Sequence, residues 1–343
     1  MMKIHGGNIY QNKEMLDFSA NINPLGMPDA VRRAILVAAG DCVHYPDPHC
    51  TALTQCISGF EQIPPAQIVC GNGAADLIYR ISHAFQPKHA LICAPTFSEY
   101  AFALREAGCS VAEYALDPAA NFQLDEGFLS AISDETDIVF LCTPNNPTGQ
   151  LISPELLKKI ADQCHEKHTL LISDECFLRF TESPAQYSLR SYWNENCVIL
   201  NAFTKLYAMP GLRLGYAVCG NELLAEKIRC TGQYWSVSVP AQAAGIAALR
   251  ETEWIRKTVS YLKAERMFLE ELLPAGGVTV YPGSANFMLL KTEPEFGAKM
   301  RERRILVRSC SDFHGLSSVH FRIAVRTHDE NRMLLAAVRE VYG

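Results

Sequence analysis

Residues 137–175, DIVFLCTPNNPTGQLISPELLKKIADQCHEKHTLLISDE, contain two short apolar runs separated by a longer amphipathic stretch. The runs DIVFLCTPN (137–145) and TLLISDE (169–175) have the apolar, β-branched character of buried strands. Between them, SPELLKKIADQCHEKH (153–168) carries apolar residues at helical spacing and opens with Ser, Pro and Glu, a helix start signal. These residues predict a strand–helix–strand unit.

The same alternation extends in both directions along the chain. Four further apolar runs are QIVCG (67–71), HALICAPTF (89–97), CVILNAF (197–203) and LGYAVCG (214–220). Strands that are apolar throughout and separated by helices indicate a mostly parallel sheet covered on both faces. We therefore predict an α/β protein with a large domain over residues 41–237.

The pattern changes after residue 238. Residues 239–273 have the pattern of a long helix broken in the middle, and three strand-like runs follow: VTVYPGSANFMLLKT (278–292), RILVRSC (304–310) and HFRIAVR (320–326). We predict a smaller α+β domain over residues 238–343. The turn-rich amino-terminal segment, residues 1–40, is assigned to this domain as an arm.

Composition narrows the class of protein. The chain has 343 residues, 48% of them hydrophobic and 20% charged, with a net charge of −6 and no Lys/Arg cluster, so nucleic acid is not an expected partner. There is no signal-peptide pattern and no apolar run of about 20 residues, so we expect a cytoplasmic protein without a membrane span. Its 13 cysteines lack C-x-x-C spacing, and we interpret them as reduced, buried thiols without a metal site.

A candidate anion site lies in GNGAADLIYRISHAF (71–85), where a strand ends at Gly71 and a helix is predicted from Ala74. Amide groups and the dipole at a helix start favour a phosphate, and glycine permits its close approach. The dinucleotide fingerprint would need a glycine where the chain has Asp76, so nicotinamide binding is not favoured. By itself this turn is also consistent with a purely structural role.

Polar residues follow two neighbouring strands. Asn145 and Asn146 lie in TPNNPTG, and Asp174 and Glu175 end the run TLLISDE. Ligands of open α/β sheets bind at the carboxyl ends of the strands. Successive side chains of a strand face opposite ways, so one carboxylate at most points into a given site. Each segment is also a good solvent-exposed turn.

The stretch NAFTKLYAMPGLRLGY (201–216) adds Lys205 in an almost uncharged setting, with Arg213 eight residues later. Desolvation lowers the pKa of a lysine, which makes the amine a nucleophile towards an aldehyde. With a strand-end carboxylate for a pyridine nitrogen, an asparagine amide for a ring hydroxyl, and an arginine with helix amides for a phosphate, the set describes a pyridoxal phosphate pocket. The alternative is a non-catalytic ligand-binding α/β protein in which Lys205 extends along the surface.

These motifs resemble the fold-type I pyridoxal-phosphate enzymes of the aspartate aminotransferase superfamily over nearly the whole chain. More narrowly, they resemble the threonine-phosphate decarboxylases of cobalamin biosynthesis, relatives of the histidinol-phosphate aminotransferases. The stretches that carry this resemblance are HGGNI (5–9), LDFSANINPLGMP (16–28), LCTPNNPTG (141–149), TKLYAMPGLRLGY (204–216), ILVRSC (305–310) and FRIAVR (321–326).

The resemblance implies specific roles in cofactor binding. Lys205 would bond covalently to pyridoxal 5'-phosphate, Asp174 would pair with the pyridinium nitrogen, and Asn146 would contact the ring hydroxyl. Phe97 would stack on the ring. The remaining cofactor residues implied are the phosphate ligands Gly73, Ala74, Thr204 and Arg213, and Tyr45 reaching in from a second subunit of a homodimer.

The resemblance also implies the substrate contacts. Arg322 would bind the substrate carboxylate, and His5, Asn21 and Arg308 would bind the phosphate of a phosphorylated amino acid. The expected reaction is decarboxylation of L-threonine O-3-phosphate. Transamination of histidinol phosphate and decarboxylation of serine phosphate stay open as alternatives, since the lysine stretch does not separate them.

Two positions depart from the aminotransferase relatives. The aminotransferase relatives usually have a tyrosine at the end of the motif DEAY, whereas this chain has Phe177 in DECF. This difference fits the decarboxylase branch. Ala202 occupies a position where the relatives often have Ser or Thr. The phosphate-binding site therefore has one hydroxyl fewer, and the hydroxyl of Thr204 remains.

Overall fold

The computed structural model describes residues 5–342. Its strands are β1 (Leu16–Asp17), β2 (Ile68–Gly71), β3 (His89–Ala94), β4 (Ser110–Ala115), β5 (Ile138–Cys142), β6 (Leu170–Asp174), β7 (Cys197–Ala202), β8 (Gly215–Cys219), β9 (Thr279–Tyr281), β10 (Phe287–Lys291), β11 (Ile305–Leu306), β12 (Arg308–Ser309) and β13 (His320–Ala324). Its α-helices are α1 (Asp29–Ala38), α2 (Thr51–Glu61), α3 (Ala74–Phe85), α4 (Glu99–Glu106), α5 (Gly127–Ala131), α6 (Pro154–Glu166), α7 (Phe203–Leu206), α8 (Glu222–Thr231), α9 (Val239–Ala248), α10 (Thr252–Leu272), α11 (Phe296–Glu302) and α12 (His328–Tyr342).

The large sheet has seven strands in the order β2-β8-β7-β6-β5-β3-β4. The strands from β7 to β4 in this order are parallel, and β8 runs antiparallel to both β7 and β2. The predicted mostly parallel sheet of the fold-type I class is confirmed. Strand β4 was not predicted, because it lies at the sheet edge and its residues alternate between exposed and half-buried instead of forming an apolar run.

Both faces of the large sheet are covered. On β5, Val139 and Leu141 pack in one core cluster with residues of α5 and α6, whereas Ile138 and Phe140 pack in another with residues of α3, α4 and α8. This follows from the two-residue period of a strand. Since every residue of β5 and β6 is buried, these strands form a rigid base for the loops at their carboxyl ends.

A second sheet of four antiparallel strands has the order β12-β13-β10-β9. The predicted break in the long helix falls between α9 and α10, and RILVRSC forms the two short strands β11 and β12. In the arm, β1 pairs in parallel with β11. The domain boundaries at 40/41 and 237/238 stay a prediction, and residues 1–4 and 343 of the predicted small domain lie outside the described residues.

Two features of the strand registers assemble the candidate site. Cys142 of β5 lies opposite Asp174 of β6, which lies opposite Leu200 of β7, so the segments after these three strands meet at one sheet edge. In the smaller sheet, Arg308 lies directly opposite Arg322. Opposed residues of an antiparallel pair project from the same face, so both arginines serve the same site.

Within residues 5–342, no helix combines the length and the apolar composition needed to cross a membrane.

Candidate active site

A cavity of ≈ 440 Å³ lies between the carboxyl edge of the large sheet, the small sheet and the arm. This volume suits a small organic ligand. All candidate residues except Gly73 and Tyr45 line it: His5, Asn21, Ala74, Phe97, Asn146, Asp174, Thr204, Lys205, Arg213, Arg308 and Arg322. Residues that are far apart in the sequence therefore share one site.

Lys205 lies in the single turn of helix α7, just after β7. Burial lowers the pKa of its amine to about 8, and the positive charges of Arg322 and Arg213 act in the same direction. Among residues 5–342 no carboxylate lies within ion-pair distance of this amine. A substantial neutral fraction at neutral pH makes Lys205 the nucleophile of the cavity.

Asp174 and Glu175 face opposite sides of the sheet. Asp174 lines the cavity, where it accepts hydrogen bonds from the Tyr100 hydroxyl (2.6 Å) and the Cys176 amide (3.0 Å). Glu175 points away and accepts bonds from the Ser188 hydroxyl (2.7 Å) and the Leu189 amide (2.8 Å). Burial raises the pKa of Glu175 to about 7. Asp174 is thus the carboxylate available to a ligand.

The start of α3 and Arg213 form an anion cradle. Gly73, the residue before α3, has a φ of +86°, and a Cβ added there would lie 2.7 Å from Nη2 of Arg213. A Cβ on Gly215 of the adjacent strand would lie 2.7 Å from the Ala74 amide nitrogen. The guanidinium group therefore lies beside Gly73, the residue that precedes the first amides of α3, which is a favourable arrangement for a phosphate.

Replacing Gly73 by alanine is expected to weaken cofactor binding by about tenfold or more, because both the positive φ and the contact with Arg213 oppose a side chain. Titration of the apoenzyme with pyridoxal phosphate measures this. Gly211→Ala is the matched control, since a Cβ at Gly211 would meet no atom within 4 Å. Equal affinities of the two variants would contradict the proposed cradle.

Arg322 is buried and shares its donors between the protein and the cavity. Nη1 donates to Oδ1 of Asn146, and Nη2 donates to the carbonyl oxygen of Ser19 (2.9 Å). Its Nε and the Oδ1 of Asn21 are buried without a hydrogen-bond partner among the described residues. Burial lowers the pKa of Arg322 to about 10, which leaves it cationic at neutral pH. Unsatisfied polar atoms of this kind point to a polar ligand.

The other predicted substrate residues, Arg308 and His5, are held by acidic side chains at the cavity. Arg308 is held by an ion pair with Asp312 (2.7 Å), and its guanidinium lies 5.3 Å from the ring centre of Phe313. His5 Nε2 lies 3.0 Å from Oε1 of Glu99. Each of these two cationic or basic side chains therefore has a carboxylate partner beside the cavity.

Two aromatic predictions have different outcomes. The Phe97 ring lines the cavity and packs edge-on against Tyr100 at 5.6 Å. Tyr45 is 77% exposed and lies outside the cavity, stacked on Trp235 at 4.4 Å. A role for Tyr45 in catalysis therefore requires a second subunit.

The sequence did not identify three groups that the structure places at the site. Tyr100 bonds to Asp174, the Ser19 carbonyl orients Arg322, and Glu99 contacts His5. Tyr100 follows Phe97 by three residues, a helical spacing that could have indicated a shared face. The Ser19 contact uses the backbone, so no side-chain signal exists for it.

This donor set fits pyridoxal 5'-phosphate. The cavity offers an amine of lowered pKa in Lys205, a buried carboxylate in Asp174, and a glycine-permitted cradle at α3 with the Arg213 cation. These match the aldehyde, the ring nitrogen and the phosphate of the cofactor. In the part of the chain that the structure describes, no group of three or more His, Cys, Asp or Glu residues could hold a metal ion.

The family profile described as "Aminotransferase class I and II" matches residues 13–338. The chain belongs to this family. Class I and II aminotransferases depend on pyridoxal phosphate, so the predicted cofactor and the predicted resemblance are both confirmed.

The relatives of this chain include both decarboxylases and aminotransferases. Threonine-phosphate decarboxylase of Salmonella typhimurium is 39% identical over 350 positions, covering 98% of this chain and 96% of the relative. The crystal structure of histidinol-phosphate aminotransferase from Clostridium acetobutylicum has a TM-score of 0.89 at 30% identity and covers 96% of this chain and 99% of that one. L-threonine-O-3-phosphate decarboxylase from Porphyromonas gingivalis has a TM-score of 0.80 at 25% identity, covering 94% and 98%.

Proposed function

We propose that this protein is a pyridoxal-phosphate-dependent decarboxylase that converts L-threonine O-3-phosphate to (R)-1-amino-2-propanol O-phosphate in cobalamin biosynthesis. The observation that carries the proposal is the direct pairing of Arg308 with Arg322 across β12 and β13, in the same cavity as Lys205. Two guanidinium groups beside an amine-reactive site suit a substrate with two anionic groups around its amine. The Salmonella relative supports this choice of substrate class.

The proposed cofactor contacts follow from the geometry of the cavity. Bound pyridoxal phosphate supplies an aldehyde that captures a primary amine and a ring that accepts electrons from a bond broken at Cα. Lys205 and Asp174 would hold the aldehyde and the ring nitrogen, and Asn146 and Phe97 would hold the ring. Gly73, Ala74, Thr204 and Arg213 would bind the phosphate.

The substrate contacts decide which bond breaks. Arg322 would orient the carboxylate, while His5, Asn21 and Arg308 would bind the phosphate. Breaking the bond to the carboxylate releases carbon dioxide and leaves its electron pair at Cα, which then takes up one proton. We assign donation of that proton to Lys205, because its pKa near 8 permits both protonation states at neutral pH.

Transamination is the alternative reaction in the same cavity, favoured by the fold similarity to the Clostridium aminotransferase. In that reaction Lys205 would remove the Cα proton and the carboxylate would be retained. Both reactions use the same cofactor contacts, so the products must distinguish them.

The experiment is to incubate the holoenzyme with L-threonine O-3-phosphate and to quantify carbon dioxide, aminopropanol phosphate and keto acid. Stoichiometric carbon dioxide and amine without keto acid are expected. A keto acid without gas would overturn the decarboxylase in favour of the aminotransferase. Serine phosphate serves as the comparison substrate, since one methyl group changes kcat/KM by about 10–200-fold.

The rate at which the apoenzyme takes up cofactor is expected to depend on pH through Lys205. The neutral amine is the reactive form, so the rate rises as pH increases and levels off near the pKa of about 8. An unperturbed lysine would give a rise that continues to about pH 10. Stopped-flow absorbance between pH 6.5 and 9.5 measures this dependence. In Arg322→Gln the plateau shifts to higher pH because a neighbouring positive charge is lost.

We also propose a homodimer in which Tyr45 completes the partner's site. Exposed apolar side chains support it, among them Tyr45, Tyr234 and Trp235, whose rings contact one another, and also Leu36, Val37 and Val43. Mixing Tyr45→Ala with Lys205→Ala subunits should restore activity, because one site of each hybrid then has both residues. If Tyr45 acts within its own chain, or has no role, mixing restores nothing beyond the activity of the parent variants.

A further inference from the structure

Glu99 is a buried carboxylate that lines the cavity and has no role in the mechanism proposed above. It begins helix α4 and is only 6% exposed. The helix dipole favours a negative charge at this position. A carboxylate here would by itself repel a substrate phosphate, so its presence at this end of the cavity requires an explanation.

The two oxygens of Glu99 contact different elements. Oε1 lies 3.0 Å from Nε2 of His5, and Oε2 accepts a hydrogen bond from the hydroxyl of Tyr79 at 3.2 Å. Tyr79 lies on α3, the helix that forms the anion cradle, whereas His5 belongs to the arm. Glu99 therefore joins the arm to helices α3 and α4. His5 and Glu99 are 94 residues apart in the sequence.

The arm is fixed a second time just beyond His5. The Gly7 amide donates to the hydroxyl of Ser19 (2.8 Å), and that hydroxyl donates to Asp17 (2.6 Å). A Cβ on Gly6 would fall within 2.1 Å of the Ser19 carbonyl oxygen, the same atom that orients Arg322. The position of His5 is thus coupled to the position of the carboxylate-binding arginine.

We propose that Glu99 is a positioning residue for the substrate phosphate, which holds the His5 imidazole through Nε2 and leaves Nδ1 to donate to the phosphate. An imidazole that carries both protons has two N–H donors, so Nε2 can donate to Glu99 while Nδ1 donates to the phosphate. This inference rests on the proposed function for the identity of the ligand. It adds that selectivity for phosphorylated amino acids depends on Glu99 and not on the cations alone.

The test is the affinity of holoenzyme variants for two amino acids, threonine phosphate and threonine, followed by the change in cofactor absorbance. Glu99→Gln is expected to weaken threonine phosphate binding by about tenfold or more, the effect of one charge-assisted hydrogen bond, and to change threonine binding by less than about twofold. His5→Gln should do the same, and the double variant should lose little more, because both changes remove one interaction.

Glu113→Gln is the matched control, because Glu113 also pairs with a histidine, His314, but does not line the cavity. Equal weakening of both ligands in Glu99→Gln would reduce Glu99 to a structural role and overturn the proposal. Tighter binding of threonine phosphate by Glu99→Gln would show that the Glu99 carboxylate only repels the phosphate. That result would also overturn the proposal. If Glu99→Gln does not fold, the same affinities are measured for Tyr79→Phe. A smaller loss of affinity is then expected for threonine phosphate, with threonine binding unchanged.

The binding measurement requires no turnover, so it is independent of the reaction assay. Absence of carbon dioxide release would overturn the decarboxylase and leave the phosphate-selective effect of Glu99 intact. Loss of that selectivity with normal carbon dioxide release would overturn only the role of Glu99.

Discussion

Lys205→Ala is expected to lower kcat by at least about 10⁴-fold and to leave the cofactor removable by gel filtration. The variant lacks the amine that we propose bonds to the cofactor and returns the proton to Cα, and general acid–base catalysis alone contributes about 10²–10⁴-fold. Steady-state carbon dioxide release and the absorbance of the enzyme after gel filtration measure the two effects.

The control for Lys205 is Lys263→Ala. Lys263 is a surface residue in an ion pair with Glu182 and lies outside the cavity, so its loss should leave both readouts unchanged. Retention of the cofactor through gel filtration by Lys205→Ala, with wild-type absorbance, would show that another amine forms the bond.

Asp174→Asn is expected to have the second largest effect, a fall in kcat of about 10²–10⁴-fold. The amide keeps the size of the side chain, and its oxygen can still accept from the Cys176 amide while its nitrogen donates to the Tyr100 hydroxyl oxygen, which reverses that bond. It removes the negative charge that would keep the ring nitrogen protonated. Loss of one partner from a buried ion pair costs about 3–5 kcal/mol, which corresponds to this range of rates. Single-turnover kinetics with saturating cofactor separate this effect from weaker cofactor binding.

Glu175→Gln provides the matched control for Asp174, because the neighbouring carboxylate faces the opposite side of the sheet. Its kcat should stay within about threefold of the wild type. An equal loss in both variants would mean that the sheet edge itself has been disturbed, and the assignment of Asp174 to the ring nitrogen would fail.

The fold was predictable where strands are buried on both faces. Strands β5 and β6 are continuous apolar runs, and a polar residue at the end of such a run falls at the ligand-binding edge, as Asp174 does. Strand β4 was not predicted, because a strand at the edge of a sheet does not require a continuous apolar run. The residue pattern alone left Asp174 and Glu175 open, since alternation fixes only that they differ. The family resemblance favoured Asp174, and this is the carboxylate that lines the cavity.

The site was less predictable where it depends on distant pairings. Residue patterns alone do not place Arg308 beside Arg322, because this requires the register of two short strands. The family resemblance singled out both arginines but not Tyr100 or Glu99, whose contacts depend on packing between helices and on the position of the arm.

The arm has a consequence for biosynthesis of the chain. Phe18 is completely buried, and its backbone bonds to Leu306 (2.8 Å) and Ala324 (2.7 Å), while the Ser19 carbonyl meets Arg322 across 303 residues. A ribosome takes about 15–60 s to add that many residues. Throughout that interval Phe18 and Ser19 lack these partners, so the part of the cavity that contains Arg322 forms last, after the large sheet has been synthesised. Chains truncated before Arg322 should therefore lack the guanidinium group that would bind the substrate carboxylate.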